Sequence, residues 1–340
     1  MTHGEIRPLE GFEEFRACVA LQEETWGRDF SERVPVAILR ASQRLGGVVS
    51  GSFAPDGTLE GFVFGLTGIE EGEPVHWSDM LAVRPELRGA GLGRALKLYQ
   101  RDTLLALGVR RVYWTFDPLE AGNAWLNLER LGVIAREYIE DAYGSSDSPL
   151  HEGIGTDRFV AIWELDSPRV RALVGKKAPG TEPAPATEEG TEGARGDRAG
   201  QPPATEPATR PALEPAERAD PRTGLPRPGI PRLGLESDRL SVAIPSNIQA
   251  LKGRDPDLAR EWREATRPVL VHYLARGWEV RGLRRDEAAP GDRIAPGDRA
   301  APGDEAAASA PGDRTITPHA MGVARYLLHR RDDEARRAHP

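Results

Sequence analysis

Apolar and polar positions change period often enough along this chain to sketch most of a fold. Ile6–Leu9 is a short apolar run that reads as a strand. Phe12, Phe15, Val19 and Trp26 fall at roughly helical spacing and predict a helix over Gly11–Trp26. Val34–Arg44 predicts a second, shorter helix, stopped by Gly46-Gly47. Val48–Phe53 and Leu59–Thr67 flank Pro55-Asp56-Gly57, the pattern of a β-hairpin. His76–Val83 predicts a strand that ends at Arg84-Pro85. Gly91–Leu107 predicts a helix, with Leu92, Ala95, Leu96, Tyr99, Ala106 and Leu107 on one face and Arg94, Lys97 and Arg101 on another. Gly108 stands where a helix-terminating glycine belongs. Arg111–Phe116 is rich in β-formers, Leu119–Leu131 predicts a helix closed by Gly132, and Val133–Ile139 and Arg158–Leu165 complete the series as strands.

Composition then divides the chain. Of its 340 residues 66 are Gly or Pro, without the period of a fibrous protein. Seventeen of the 21 aromatic residues lie at or before Trp163, and none occurs from Glu164 to Glu261. Gly175–Arg232 is Pro-rich and free of aromatics, and it reads as a flexible linker unable to offset its own conformational entropy by burial. Beyond it Leu240–Ile244 predicts a strand. Asp255-Pro256 opens a helix carrying Leu258, Trp262, Ala265, Val269 and Tyr273, which Gly277 ends. Trp278–Leu283 and Arg325–Leu328 predict two more strands, joined by a tract in which APGD occurs four times. The expected organisation is an α/β domain over 1–166 and a disordered Pro/Gly/Ala/Glu-rich linker over 167–234. A small strand-helix-strand-strand segment follows over 235–340, with a low-complexity loop at 287–315, and docks on the first domain.

Charge and cysteine content narrow the function classes. The chain carries a net charge of −8, and the deficit lies in the first 170 residues. A folded part this acidic argues against nucleic acid as a partner, because phosphate contacts need clustered Lys and Arg. It suits a cationic substrate, or is simply a solvated acidic surface. Cys18 stands alone, so neither an intramolecular disulfide nor a cysteine-based zinc site is expected, and a reducing cytoplasm is the natural setting. No signal-peptide pattern opens the sequence, and no stretch approaches the ~20 apolar residues that span a bilayer. The seven histidines form no HxxxH or HxH pair, so no metal site is expected.

The most informative stretch runs from Trp77 to Arg94. An apolar strand enters a Pro-marked turn, then Arg88-Gly89-Ala90-Gly91-Leu92-Gly93, then directly an amphipathic helix. The first turn of a helix offers N–H groups without intrahelical partners and a positive dipole end, and glycines let an anion approach the backbone. Arg88 and Arg94 add charge. The stretch is not a P-loop, which needs Lys-Ser or Lys-Thr after its last glycine, and it fits the dinucleotide fingerprint poorly, because position 94 is Arg. A glycine-rich turn that only tightens a strand–helix junction remains the alternative.

With these residues in view, Arg88-Gly-Ala-Gly-Leu-Gly93 resembles the R/Q-x-x-G-x-G/A signature of the GNAT superfamily of N-acetyltransferases. Asn123-Ala124 and Leu128-Glu129-Arg130-Leu131-Gly132-Val133 are similar to that family's following helical segment, and the order of elements to about Asp166 agrees with it. The stretch WTFDPLEAGNAWLNLERLG, with Tyr143-Gly144 and the TDRFV strand, is similar to a branch that carries its own C-terminal extension. The resemblance covers roughly half the chain. It implies a GNAT-type mixed, twisted sheet with helices on both faces, and acetyl-CoA, or another acyl-CoA, as donor. The main chain of the strand at Leu81, Ala82 and Val83 would pair with the donor's arm. The turn comprising Arg88, Gly89, Ala90, Gly91, Leu92, Gly93 and Arg94 would hold its pyrophosphate, and Asn123 would bond the arm.

Direct transfer to a primary amine needs a base for the amine and a proton for the departing thiolate. Asp79 lies two before Leu81 and so, by strand alternation, on the same face; it reads either as that base or as a salt-bridge residue at the strand entrance. His76 falls on the other phase. The tyrosine that the resemblance implies as the acid falls at Leu128, which cannot donate a proton. Tyr138 and Tyr143 are the nearest replacements, with Asn127 a further polar candidate. The expected function is N-acyltransfer to a small-molecule or peptide amine, with a second copy of the chain as a candidate partner. A catalytically silent CoA-binding sensor is the alternative that Leu128 keeps open, and an interaction scaffold built on the low-complexity tracts is a third.

Overall fold

Burial in this chain follows the apolar periods just described, with two exceptions that matter for function. The structure, a computed structural model, describes residues 4–28, 30–144, 153–175, 208–285 and 321–331. The first part runs β1 (Glu5–Pro8), α1 (Gly11–Trp26), α2 (Val36–Arg44), β2 (Val49–Phe53), β3 (Leu59–Glu70), β4 (Glu73–Val83), α3 (Leu92–Ala106) and β5 (Arg111–Phe116). It continues with α4 (Ala121–Trp125), which passes into a π-helical turn over Leu126–Leu131, then β6 (Ile134–Ile139), β7 (Arg158–Glu164) and α5 (Pro168–Val174). The second part holds β8 (Arg210–Leu213), β9 (Arg239–Pro245), α6 (Ile248–Arg254), α7 (Pro256–Leu274), β10 (Trp278–Arg285) and β11 (Val323–Arg330).

Among the described residues all eleven strands join one mixed sheet, ordered β1-β2-β3-β4-β5-β7-β6-β10-β11-β9-β8. Only β4–β5 and β8–β9 pair in parallel. Helices cover both faces. Phe15, Cys18 and Leu21 of α1 and Leu39 of α2 pack on Phe62, Phe64, Met80 and Ala82. On the opposite face Leu92, Leu96 and Leu104 of α3 pack on Val63, Leu81 and Val83, and this core runs on through Trp114, Phe159 and Trp163 to Trp262 and Tyr273 of α7.

The first exception is α3. Its buried stripe is Leu92, Gly93, Leu96, Lys97, Gln100 and Leu104, so Lys97, expected on the polar face, lies in the core at 2% exposure, while Leu107 is exposed. The second is the C-terminal part, which is larger and more firmly attached than its composition implied. Its strands extend the first sheet where Val280 of β10 pairs with Ala135 of β6. Arg263 of α7 grips Asp117, just past β5, through two bonds of 2.7 and 2.8 Å. The Tyr326 hydroxyl donates to Pro118 O at 2.6 Å.

The expected linker is also shorter. Residues 167–175 include α5, N-capped by Ser167, and 208–234 lie along the second part of the sheet. There β8 pairs with β9, Leu225 is buried, and Pro226 O accepts from the Trp262 indole at 2.9 Å. A four-residue edge strand containing proline carries no alternation to read, and the aromatic that anchors the following segment lies 36 residues beyond its acceptor, Pro226. The rest of the expected linker, 176–207, and the low-complexity loop, 287–315, lie outside the described residues.

Candidate active site

The sheet forks beside α3. Strands β4 and β5 pair only at Val75–Arg111, His76–Val112 and Trp77–Tyr113. From Ser78 on one strand and Trp114 on the other they part, β4 staying with β3 and β5 with β7. Beyond the fork Arg84 N–H donates to Glu60 O of β3 at 2.9 Å. By strand alternation the main-chain groups of Ala82 also point to β3, whereas those of Leu81 and Val83 point into the fork. Val83 O confirms the direction, because it accepts from Arg88 Nε at 3.0 Å on that side. Of the three strand residues expected to meet a donor, Ala82 therefore has its main chain committed to the sheet.

A bulge sets which side chains accompany that edge. Phe64 of β3 faces Met80 and Gly65 faces Ser78, leaving Asp79 without an opposite number. Gly65 is required there, since a Cβ would stand 2.2 Å from His76 Nε2. The extra residue resets the alternation. His76 and Ser78 bond Gln100 of α3 and share its face with Leu81 and Val83. Asp79 instead pairs with the Trp77 side chain on the opposite, open face, so the expectation that it shares a face with Leu81 is corrected. Solvent reaches Asp79, yet the surrounding protein desolvates its carboxyl enough to raise its pKa, with the Trp77 bond pulling the other way.

At the outer end of the fork the chain makes a single turn of 3-10 helix over Pro85–Leu87 and enters α3. Gly89 and Gly91 take positive φ of 76° and 92°, which glycine adopts without a Cβ penalty. Gly91 is the N-cap, and no side chain caps the first turn that Leu92, Gly93 and Arg94 form. Ala90 is exposed on the turn, and the Leu92 side chain is buried beneath it. Arg94 is half-buried. Its Nη2 reaches only the end carbonyls of α5 at 3.4 and 3.5 Å, and its Nε is buried with no hydrogen-bond partner. Desolvation, then the nearby Arg130, lower its pKa. An uncapped helix start, two left-handed glycines and an orphaned buried guanidinium N–H together suit a phosphate group. On the other wall Asn123 Oδ1 accepts from Asn127 at 3.1 Å, and Asn127 Oδ1 is buried without a donor. Leu128, one residue on, is wholly buried in the core.

On the same open face, beside the last β4–β5 pair, lies a shallow cavity of about 500 Å³ lined by residues that include Leu66, Ile69, Trp77, Tyr113, Glu137 and Val160. Tyr143 borders the same face. It is half exposed, and its hydroxyl shares a 2.9 Å hydrogen bond with Thr115 of β5. The structure thus brings Asp79 and Tyr143 to one side of the fork. It takes Tyr138 elsewhere: that hydroxyl donates to Asp157 at 2.5 Å, inside the ion cluster that fixes α7, and burial pushes its pKa well up. Tyr138 is a packing residue here, not a proton donor within reach of the fork.

The residues that sequence periodicity missed lie on the inner face. Lys97 Nζ donates to Ser78 Oγ at 2.7 Å and to Gln100 Oε1 at 3.4 Å, and stands 3.9 Å from the centre of the Trp114 ring. Burial lowers its pKa to about 7. His76 is wholly buried. Its Nε2 accepts from Gln100, and its Nδ1 donates to Thr67 Oγ1, whose own proton goes to Gly46 O. That pattern is the neutral ring, in keeping with a pKa lowered to about 3 by burial and then by Lys97. The signal in the sequence is the stripe Gly93, Leu96, Lys97, Gln100, Leu104, in which the two polar residues sit at core spacing. Among the described residues no His/Cys/Asp/Glu group could hold a metal ion, and no helix is long and apolar enough to cross a membrane.

No protein-family model and no curated protein matches the chain. Solved structures are similar to part of it. The ribosomal-protein-S18-alanine N-acetyltransferase from Escherichia coli is 19% identical, covering 48% of this chain and 94% of that one at a TM-score of 0.37. The putative acetyltransferase yncA from Salmonella typhimurium, with its cofactor acetyl-CoA, is 19% identical over 48% and 94%, TM-score 0.39. An aminoglycoside 6'-N-acetyltransferase complexed with coenzyme A is 13% identical over 48% and 98%, TM-score 0.38.

Proposed function

We propose that this chain binds an acyl-CoA, acetyl-CoA foremost, and transfers its acyl group directly to a primary amine. One observation carries the reading: the fork turns the main chain of Leu81 and the N–H of Val83 away from β3, beside an uncapped, glycine-lined helix start. Leu81 and Val83 would pair with the amides of the donor's arm. Arg88 and Arg94, with the N–H groups of the turn between them, would hold its diphosphate, where an otherwise unpartnered Arg94 Nε gains an acceptor. Asn123 would bond the arm from the opposite wall. Bound there, the donor supplies a thioester open to attack by an amine.

The chain's own groups account for the acceptor side. An amine enters from the open face, where Glu137 in the cavity and Asp79 beside Trp77 favour a cation and Trp77 and Tyr113 offer aromatic surface. Asp79, with its raised pKa, takes the amine's proton directly or through water. Tyr143 and Thr115 form part of the wall of that entrance. The acceptor is a small-molecule or peptide amine.

A second reading, a CoA-binding sensor without turnover, is favoured by the burial of Leu128 at the position where the resemblance implies an acid. Incubating the full chain with acetyl-CoA, longer acyl-CoAs and a panel of amines separates the two. Thiol release that depends on an added amine supports transfer. Binding without release selects the sensor, and the absence of binding overturns both.

A further inference from the structure

Lys97 is a buried cation held by no carboxylate. Its partners are two neutral oxygens and an aromatic face, and among the described residues it makes no ion pair. Burial without a counter-charge favours the neutral amine, so the charged form of Lys97 is stabilised only beside an anion that the resting fold does not contain. Its place says which anion. Ser78 and Trp114 are the first residues of β4 and β5 past their last pair, and Nζ touches both. The ammonium therefore sits at the inner end of the fork, on the face that carries Leu81 and Val83. A donor anchored by its phosphates at Gly91 and running inward past Val83 and Leu81 delivers its sulfur end to that point. The strand from Val83 to Ser78 is about 16 Å long at 3.3 Å per residue.

We infer that Lys97 is the proton donor to the departing thiolate, filling the role that Leu128 cannot. The inference rests on the acyl-transfer reading. As the amine nitrogen bonds to the acyl carbon, the C–S bond breaks and its electron pair stays on sulfur. Lys97 Nζ passes one proton to that sulfur and becomes a neutral amine, still held by Ser78 and Gln100. The proton lost by the attacking nitrogen leaves on the other face through Asp79, and Lys97 regains its own from solvent when the thiol departs. The groups around Nζ permit this. His76 on β4 is neutral, Asp79 lies on the opposite face of the strand, β5 presents Trp114, and on α3 itself Arg94 and Arg101 stand one turn to either side. A titration near 7 leaves the amine able both to hold and to give up its proton at neutral pH.

The decisive reading is the basic limb of kcat, measured across pH in the full chain with acetyl-CoA and an active amine. In the wild type kcat is expected to fall as pH rises through about 7, where Lys97 loses the proton it would donate. In Lys97→Met that limb is lost, acetyl-CoA affinity stays within about threefold, and turnover falls about 100-fold. Ser78→Ala, which keeps the amine, retains the limb. A wild-type profile without a basic limb near 7 overturns the proposal, and so does a limb that survives in Lys97→Met. If the wild type binds no CoA at all, the acyl-transfer reading falls and takes this proposal with it. Turnover without that limb removes Lys97 alone.

Discussion

Two buried polar clusters flank the end of β5, and they are built on opposite plans. In the cluster beneath α7 every charge has a counter-charge. Asp117 accepts two bonds from Arg263 and lies 3.5 Å from Arg158, and Asp157 is gripped by Arg267 at 2.7 Å and receives the Tyr138 hydroxyl. In the cluster beneath the fork Lys97 has only Ser78, Gln100 and the Trp114 ring. The first arrangement fastens the C-terminal part of the sheet to the first. Arginines hold Asp117 and Asp157 below the usual carboxylate range against the desolvation that would raise them. The second has no such counter-charge, and burial instead lowers the amine's pKa to about 7. The charge-paired cluster holds the fold together, and the unpaired amine is the one the proposed chemistry uses.

The largest effect expected from that contrast is on stability. Asp117→Ala strands the Arg263 and Arg158 charges in the core and is expected to cost about 3–5 kcal/mol in urea unfolding at neutral pH. A loss under about 1 kcal/mol would mean that the cluster is solvated and fastens little. Next comes chemistry on the open face. Asp79→Asn is expected to lower turnover about 100-fold with unfolding unchanged. In the wild type the acid limb of kcat/KM should fall above pH 3.8, the ordinary aspartate value, because desolvation raises this carboxyl. A limb unmoved in Asp79→Asn assigns the base elsewhere.

Gly91→Ala is smaller. The new Cβ is strained at φ 92°, so acetyl-CoA should bind at least about tenfold more weakly by calorimetry, or about 1.4 kcal/mol. The smallest is Lys97→Met, where a charge without a counter-charge gives way to an apolar chain and stability at pH 7 should hold or rise by about 1 kcal/mol. The two proteins part with pH. The amine titrates at about 7 in the fold against 10.5 when exposed. Between those values the unfolded chain binds the extra proton, so wild-type stability climbs as pH rises from about 7 towards 10. Urea midpoints of Lys97→Met should lack that climb; if they keep it, another group is responsible.

Local pattern carried the order of elements and the anion-suited turn. Arg88 to Arg94 could be read as a phosphate cradle because glycine placement and a helix start are adjacent in sequence. What stayed hidden depends on pairing at a distance. The fork exists because β4 and β5 stop pairing after Trp77 and Tyr113 while each keeps its other neighbour, which no local feature of Trp114 or Thr115 announces. The bulge at Asp79 inverted a face assignment made by counting in twos. Lys97 looked solvated because it stands between Arg94 and Arg101, though its spacing from Gly93, Leu96 and Gln100 is that of the core. Tyr138 looked available because its acceptor, Asp157, and the arginine behind it are 19 and 129 residues away. The short strand β8 gains its order from Trp262 and β9, not from its own four residues.

The central claim is that the fork and the turn beside it bind an acyl-CoA. Thermal unfolding of the full chain with acetyl-CoA tests it most directly. At a ligand concentration 100-fold above Kd the stabilisation is about 2.7 kcal/mol, which for a body of this size raises Tm by roughly 5–10 °C, and Gly91→Ala should respond less at the same concentration. An unchanged Tm with acetyl-CoA, CoA and longer acyl-CoAs at millimolar concentration would contradict the account.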